Sequence, residues 1–148
     1  MVTKRALIVE DEPHVRLLME RVLSRAGWQV VTAADVASAL QHVASVDVMV
    51  VDYHLGKERG SEVVRRARET LGTEPPPAML VTGTPDEVPV AEWDLFAGSL
   101  PKPFKVEALV AAVEQLAKKA RARSGTRRKA SLFDVEAPVT DAKKDEAV

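Results

Sequence analysis

The chain has 148 residues, about the length of one domain, with 46% hydrophobic and 29% charged residues and a net charge of −1. It has no cysteine, which excludes disulfide frameworks, thiolate metal sites and cysteine nucleophiles and suits a reducing cytoplasm. Charge is unevenly spread: residues 1–117 carry twelve Lys or Arg against seventeen Asp or Glu, residues 118–129 carry seven bases and no acid, and residues 130–148 carry two lysines against five acids. An acidic body, a basic junction and a solvated tail are expected.

The N-terminus, MVTKRALIVEDE, has an apolar stretch only at residues 6–9, too short for a signal-peptide core. No window approaches the roughly 18 to 20 apolar residues of a membrane span, so a soluble, cytoplasmic protein is expected. Residues 6–9 read as a strand, and after Pro13 the spacing of Val15, Leu18, Met19, Val22 and Leu23 predicts an amphipathic helix. Residues 28–33 form the next strand, and Val36, Ala39, Leu40 and Val43 a short helical face. The β-branched run at 46–51 suits a strand buried on both sides, and a helix over 60–71 turns Val63, Val64 and Ala67 inward. The TEPPP loop at 73–77 ends that helix, because proline cannot continue it.

Residues 78–82 predict a fourth strand, and Pro85 and Pro89 confine any following helix to about 90–96. A brief fifth strand falls at 99–100, and Val106, Leu109, Val110, Val113, Leu116 and Ala117 make the stripe of a last helix. Alternating strands and helices imply an α/β fold: a doubly wound, five-stranded parallel sheet with helices on both faces. The domain is expected over 1–122, followed by a disordered tail over 123–148 with a local docking patch at Leu132 and Phe133.

The third strand runs straight into Asp52, an odd end for a core strand. In open α/β sheets, ligands bind beyond the carboxyl ends of the strands, where Glu10, Asp11, Asp52, Thr82 and Lys102 all fall. That set suits phosphoryl transfer onto a carboxylate, with Asp52 as nucleophile. Glu10, Asp11 and Asp52 supply hard oxygen ligands for Mg²⁺, while the Lys102 ammonium and the Thr82 hydroxyl stabilise phosphoryl oxygens.

The motifs LIVEDEP, DVMVVDYHLG with Gly60 eight residues after Asp52, MLVTG and PKPF, in this order, resemble the receiver domains of two-component response regulators over about residues 4–119. The resemblance implies a flavodoxin-like receiver fold, Asp52 as phosphoacceptor, and Glu10, Asp11 and Asp52 as Mg²⁺ ligands. It further implies that His54 lends the metal its backbone carbonyl, that Thr82 and Lys102 sense the phosphoryl group, and that the Lys102–Pro103 bond is cis. The implied partner is a histidine kinase or histidine phosphotransfer protein. The implied protein is a signalling receiver and not an enzyme, a stand-alone module that assists its own phosphorylation and dephosphorylation and works by protein contact or phosphorelay.

Three departures stand out. Ser99 replaces the usual aromatic switch three residues before the lysine, which questions the usual coupling. The segment between Thr82 and Lys102 is slightly short and interrupted by prolines. Gly56 replaces the family's common proline, which is expected to loosen its loop without touching the chemistry.

Plainer roles compete for each residue. Acids just before Pro13 serve as helix caps, yet capping by Asp11 or Glu12 leaves Glu10 unexplained. Thr82 alone is an ordinary strand residue and Lys102 an ordinary loop cation; together, at successive strand ends, they are not. His14 and His42 read as surface helix residues, Arg65, Arg66 and Arg68 as a solvated helix face, and Met19, Met49 and Met79 as core. The basic residues from Lys118 to the last of the cluster, Lys129, suit a helix end and a solvated linker, with nucleic acid as the competing partner. The alternative function is a binding module independent of phosphorylation that acts through its surface and basic tail. A hydrolase reading is disfavoured by His54, where an acid would be needed to protonate a leaving group.

Overall fold

The computed structural model of the chain describes residues 4–129. Five parallel strands form one sheet in the order β2-β1-β3-β6-β7. These are β1 (Arg5–Val9), β2 (Gln29–Ala33), β3 (Val48–Asp52), β6 (Ala78–Thr82) and β7 (Gly98–Pro101). Between β3 and the next helix lies a small antiparallel hairpin, β4 (His54–Leu55) and β5 (Glu58–Arg59), which periodicity did not predict. The helices are α1 (Pro13–Arg25), α2 (Val36–Leu40), α3 (Ser61–Leu71), α4 (Val90–Trp93) and α5 (Val106–Lys129).

Alternation along the strands divides the core between the two sheet faces. Ala6, Ile8, Val48, Val50, Met79 and Val81 face Met19, Leu23, Leu109 and Val113 of α1 and α5. Leu7, Val9, Met49 and Val51 face Val36, Ala39, Val63, Val64 and Ala67 of α2 and α3. All five residues of β3 are buried, so each of its large aliphatic side chains contributes about 1.5–3 kcal/mol of hydrophobic stabilisation. The doubly wound sheet is therefore the expected one, and the three methionines assigned to the core are buried there.

Local chemistry sets the boundaries. Pro13 occupies the first turn of α1, and the Glu12 carboxylate accepts the Val15 N–H at 2.9 Å as its N-cap. The helix expected over 90–96 starts at Val90 as expected but ends after four residues, and Phe96 packs toward Tyr53, Leu80 and Val88. At the other end, α5 continues past the expected domain boundary at residue 122, so much of the basic stretch sits on helical backbone; the docking patch at Leu132 and Phe133 lies outside the described residues. No helix among the described residues is long and apolar enough to cross a membrane.

Candidate functional site

Three strand ends deliver charged groups to one edge of the sheet. β1 ends at Val9, so Glu10 and Asp11 fall in the turn before α1; β3 ends in Asp52 itself; Lys102 follows β7. The Lys102 ammonium lies 3.0 Å from Glu10 Oε1 and 3.4 Å from Asp52 Oδ1, and carboxylate oxygens of Glu10, Asp11 and Asp52 all lie within 4.8 Å of one another. Glu10 is 1% exposed and Asp52 7%, whereas Asp11 is open to solvent. The three acids before α1 thus divide their work: Glu12 caps the helix, and Glu10 and Asp11 join Asp52.

This charge set is unbalanced, with three carboxylates around one ammonium. Burial pushes the Glu10 pKa upward; the Lys102 hydrogen bond opposes this and the neighbouring Asp52 charge adds to it, leaving Glu10 above the ordinary glutamate value. Burial alone would lower Lys102, but its hydrogen bond to Glu10 and the charge of Asp52 prevail and raise it, so the ammonium is firmly held. A further hard cation suits the remaining excess of carboxylate oxygen.

Thr82 ends β6, and its backbone carbonyl accepts the Lys102 N–H at 2.9 Å, which ties the two residues together at the sheet edge. Its hydroxyl oxygen accepts the Thr84 N–H at 3.0 Å. The register that pairs Asp52 with Val81 places Thr82 one step beyond the acid's neighbour. The His54 imidazole reaches Thr84 Oγ1 at 3.0 Å and Glu87 Oε1 at 2.9 Å, turned toward the segment after β6. The Lys102–Pro103 bond is cis, as the resemblance implied. Ser99 is exposed, and no aromatic ring stands in its place.

Gly60 secures the floor of the site. A methyl group added there would overlap the Asp52 carbonyl oxygen and approach Val51 Cγ1 to 2.8 Å, so only glycine lets α3 start against the end of β3. The other glycine, Gly56, turns the hairpin at φ +65° and donates its N–H to Asp11 Oδ2 at 2.9 Å. Gly56 was expected to loosen its loop without touching the chemistry; its backbone N–H meets one of the three acids.

A second polar cluster went unnoticed in the sequence. The Tyr53 hydroxyl donates to Glu92 Oε1 at 2.7 Å, and Glu92 Oε2 meets Arg59 at 3.4 Å and Arg65 at 3.6 Å. Burial would raise Glu92, yet the Tyr53 hydrogen bond and the two guanidinium charges outweigh it and lower its pKa; the buried Ser61 hydroxyl adds its dipole without closing a hydrogen bond of ordinary geometry. Arg65 thus does more than line a solvated face. The signal available was Glu92 within a short apolar stretch, facing two arginines set six residues apart.

Residues 6–114 match the family model of the response regulator receiver domain, and the chain belongs to that family. It is a signalling domain of two-component systems and not an enzyme of the ordinary kind. Response regulator MprA of Mycobacterium bovis is 34% identical over 134 residues, covering 87% of this chain and 57% of that protein. The MprA of Mycobacterium ulcerans is 36% identical over 122 residues, 79% of this chain and 51% of that protein, so the chain spans about half the length of these relatives. Among solved structures, the Vibrio cholerae chemotaxis protein CheY4 superposes with a TM-score of 0.68 at 25% identity, covering 78% of this chain and 99% of that one. A CheY-like receiver domain from Methanospirillum hungatei, with a TM-score of 0.70 at 18% identity over 82% of this chain and 99% of that one, shows the shared fold.

Proposed function

We propose that this receiver takes a phosphoryl group on Asp52 from a phosphohistidine of a histidine kinase or phosphotransfer protein. An Asp52 carboxylate oxygen attacks phosphorus, the O–P bond of an acyl phosphate forms, and the donor's N–P bond breaks with its electron pair returning to the imidazole. The observation that carries this reading is the convergence of three carboxylates and one ammonium, at 3.0 and 3.4 Å, around the end of β3.

The donor set suits Mg²⁺, which Glu10, Asp11 and Asp52 would hold, with the His54 backbone carbonyl as a further oxygen ligand. When bound, the ion neutralises charge on the phosphoryl oxygens. The chain's own groups do the rest. Lys102, already paired with Asp52, shifts its ammonium to a phosphoryl oxygen, and the Thr82 hydroxyl turns from Thr84 to donate to another. Water then attacks the acyl phosphate, and phosphate leaves. The phosphorylated domain acts on a downstream protein in the cytoplasm, or passes the group onward.

Intact mass after incubation with Mg²⁺ and a small phosphoryl donor tests the reading. A gain of one phosphoryl unit in the wild type and none in Asp52→Asn is expected; labelling retained in the variant moves the acceptor elsewhere.

A further inference from the structure

Asp11 differs from the other two acids in what holds it. Glu10 and Asp52 are buried and share the Lys102 ammonium, whereas Asp11 is exposed and its Oδ2 accepts an N–H from Gly56, 45 residues along the chain. The donor is not on a loose loop. Gly56 sits in the turn of the β4–β5 hairpin, whose strands pair His54 with Arg59 and Leu55 with Glu58. Leu55 is buried, Glu58 Oε1 accepts the Val36 N–H at the start of α2 at 3.1 Å, and Arg59 meets Glu92. Three contacts therefore fix the hairpin, and the hairpin fixes the amide.

The turn also dictates the residue. A φ of +65° is the left-handed region that glycine and asparagine enter readily, and it aims the N–H at the acid instead of at solvent. A free aspartate carboxylate rotates about two torsions. With one oxygen engaged by the amide, the other remains for a cation.

We infer that the Gly56 N–H is a positioning group of the metal centre, holding the Asp11 carboxylate in the orientation that completes the acidic cluster. This rests on the reading that the cluster binds Mg²⁺. Outer hydrogen bonds to metal ligands typically govern affinity by about 10 to 100-fold. The hairpin thus acts as part of the site although none of its side chains enters it.

The test is calorimetric titration of the full-length protein with Mg²⁺ alone, at constant ionic strength. It compares the wild type, Gly56→Asn, and a semisynthetic chain with glycolic acid at position 56, which exchanges the N–H for an ester oxygen and keeps the torsional freedom. The ester chain is expected to bind Mg²⁺ about 10-fold more weakly, with the metal-free Tm close to wild type. Gly56→Asn, which keeps both the N–H and the left-handed turn, is expected to bind within about threefold of wild type. Equal affinity of the ester chain and wild type overturns the inference and leaves the metal reading standing. Gly56→Asn binding as weakly as the ester also overturns it, because loop shape rather than the N–H would then govern. A wild type that binds no Mg²⁺ overturns the metal reading and this inference with it.

Discussion

Glu10 and Glu92 are almost equally hidden, 1% and 5% exposed, yet their surroundings pull them in opposite directions. Glu92 faces a phenol and two guanidinium groups, and its pKa falls. Glu10 shares one ammonium with a second carboxylate while a third stands close by, and its pKa rises. A buried acid with ample partners is architecture; one left short of positive charge is a place for something to bind.

The largest effect is expected for Gly60→Ala, because Gly60 serves both regions: its N–H donates to the Tyr53 carbonyl at 2.6 Å, and a Cβ would overlap the Asp52 carbonyl. A loss of about 3 kcal/mol in urea unfolding, together with loss of phosphoryl acceptance, is the expected outcome. Next comes Mg²⁺ itself. At a hundred times its dissociation constant it is expected to stabilise the wild type by about 2.7 kcal/mol. Glu92→Gln should keep that increment and Glu10→Gln lose it; if both keep it, the two glutamates do not differ as argued.

Without metal, Glu92→Gln is expected to cost about 1–3 kcal/mol at neutral pH, since Tyr53, Arg59 and Arg65 lose their anionic partner. The folded-state pKa of Glu92 is lowered, so its contribution is present above the unfolded value of 4.5 and is lost as pH falls through the folded value. Wild type and variant should therefore converge in acid. Glu10 runs the other way: its folded pKa is raised, so its ionisation costs stability as pH rises from 4.5 through the folded value. Glu10→Gln should accordingly lie within about 1 kcal/mol of wild type at neutral pH, on the stable side. Trp28→Phe is a control outside both regions. It loses the indole N–H to Glu114 at 3.1 Å and weakens the Lys4 contact over the ring, for about 1 kcal/mol, with no change in Mg²⁺ response.

What could be read from the sequence follows from the range of the signals. Strands such as Val48–Asp52 and Ala78–Thr82 announce themselves by continuous apolar runs, and Asp52 by interrupting one. The convergence of Glu10, Asp11, Asp52 and Lys102 follows from topology, because parallel strands must deliver their carboxyl ends to one edge. The hairpin was missed because two-residue strands carry no period, although Gly56-Lys57 between its arms is a turn signal. The Tyr53–Glu92 cluster was missed for another reason. Its partners lie 39 residues apart, and the helix that carries Glu92 is too short to show a face. Ser99 was noticed as a departure, but nothing local showed that Tyr53 and Phe96 would supply aromatic bulk elsewhere.

Tyr53 is the chain's one tyrosine, and it directly follows Asp52. Its ring packs edge-on to His54 at 5.1 Å between centroids, and burial, reinforced by Glu92, raises its pKa. The protein thereby carries a built-in reporter. Isotope labelling of tyrosine yields the signals of a single ring, free of overlap from other tyrosines, one peptide bond from the carboxylate whose state is in question.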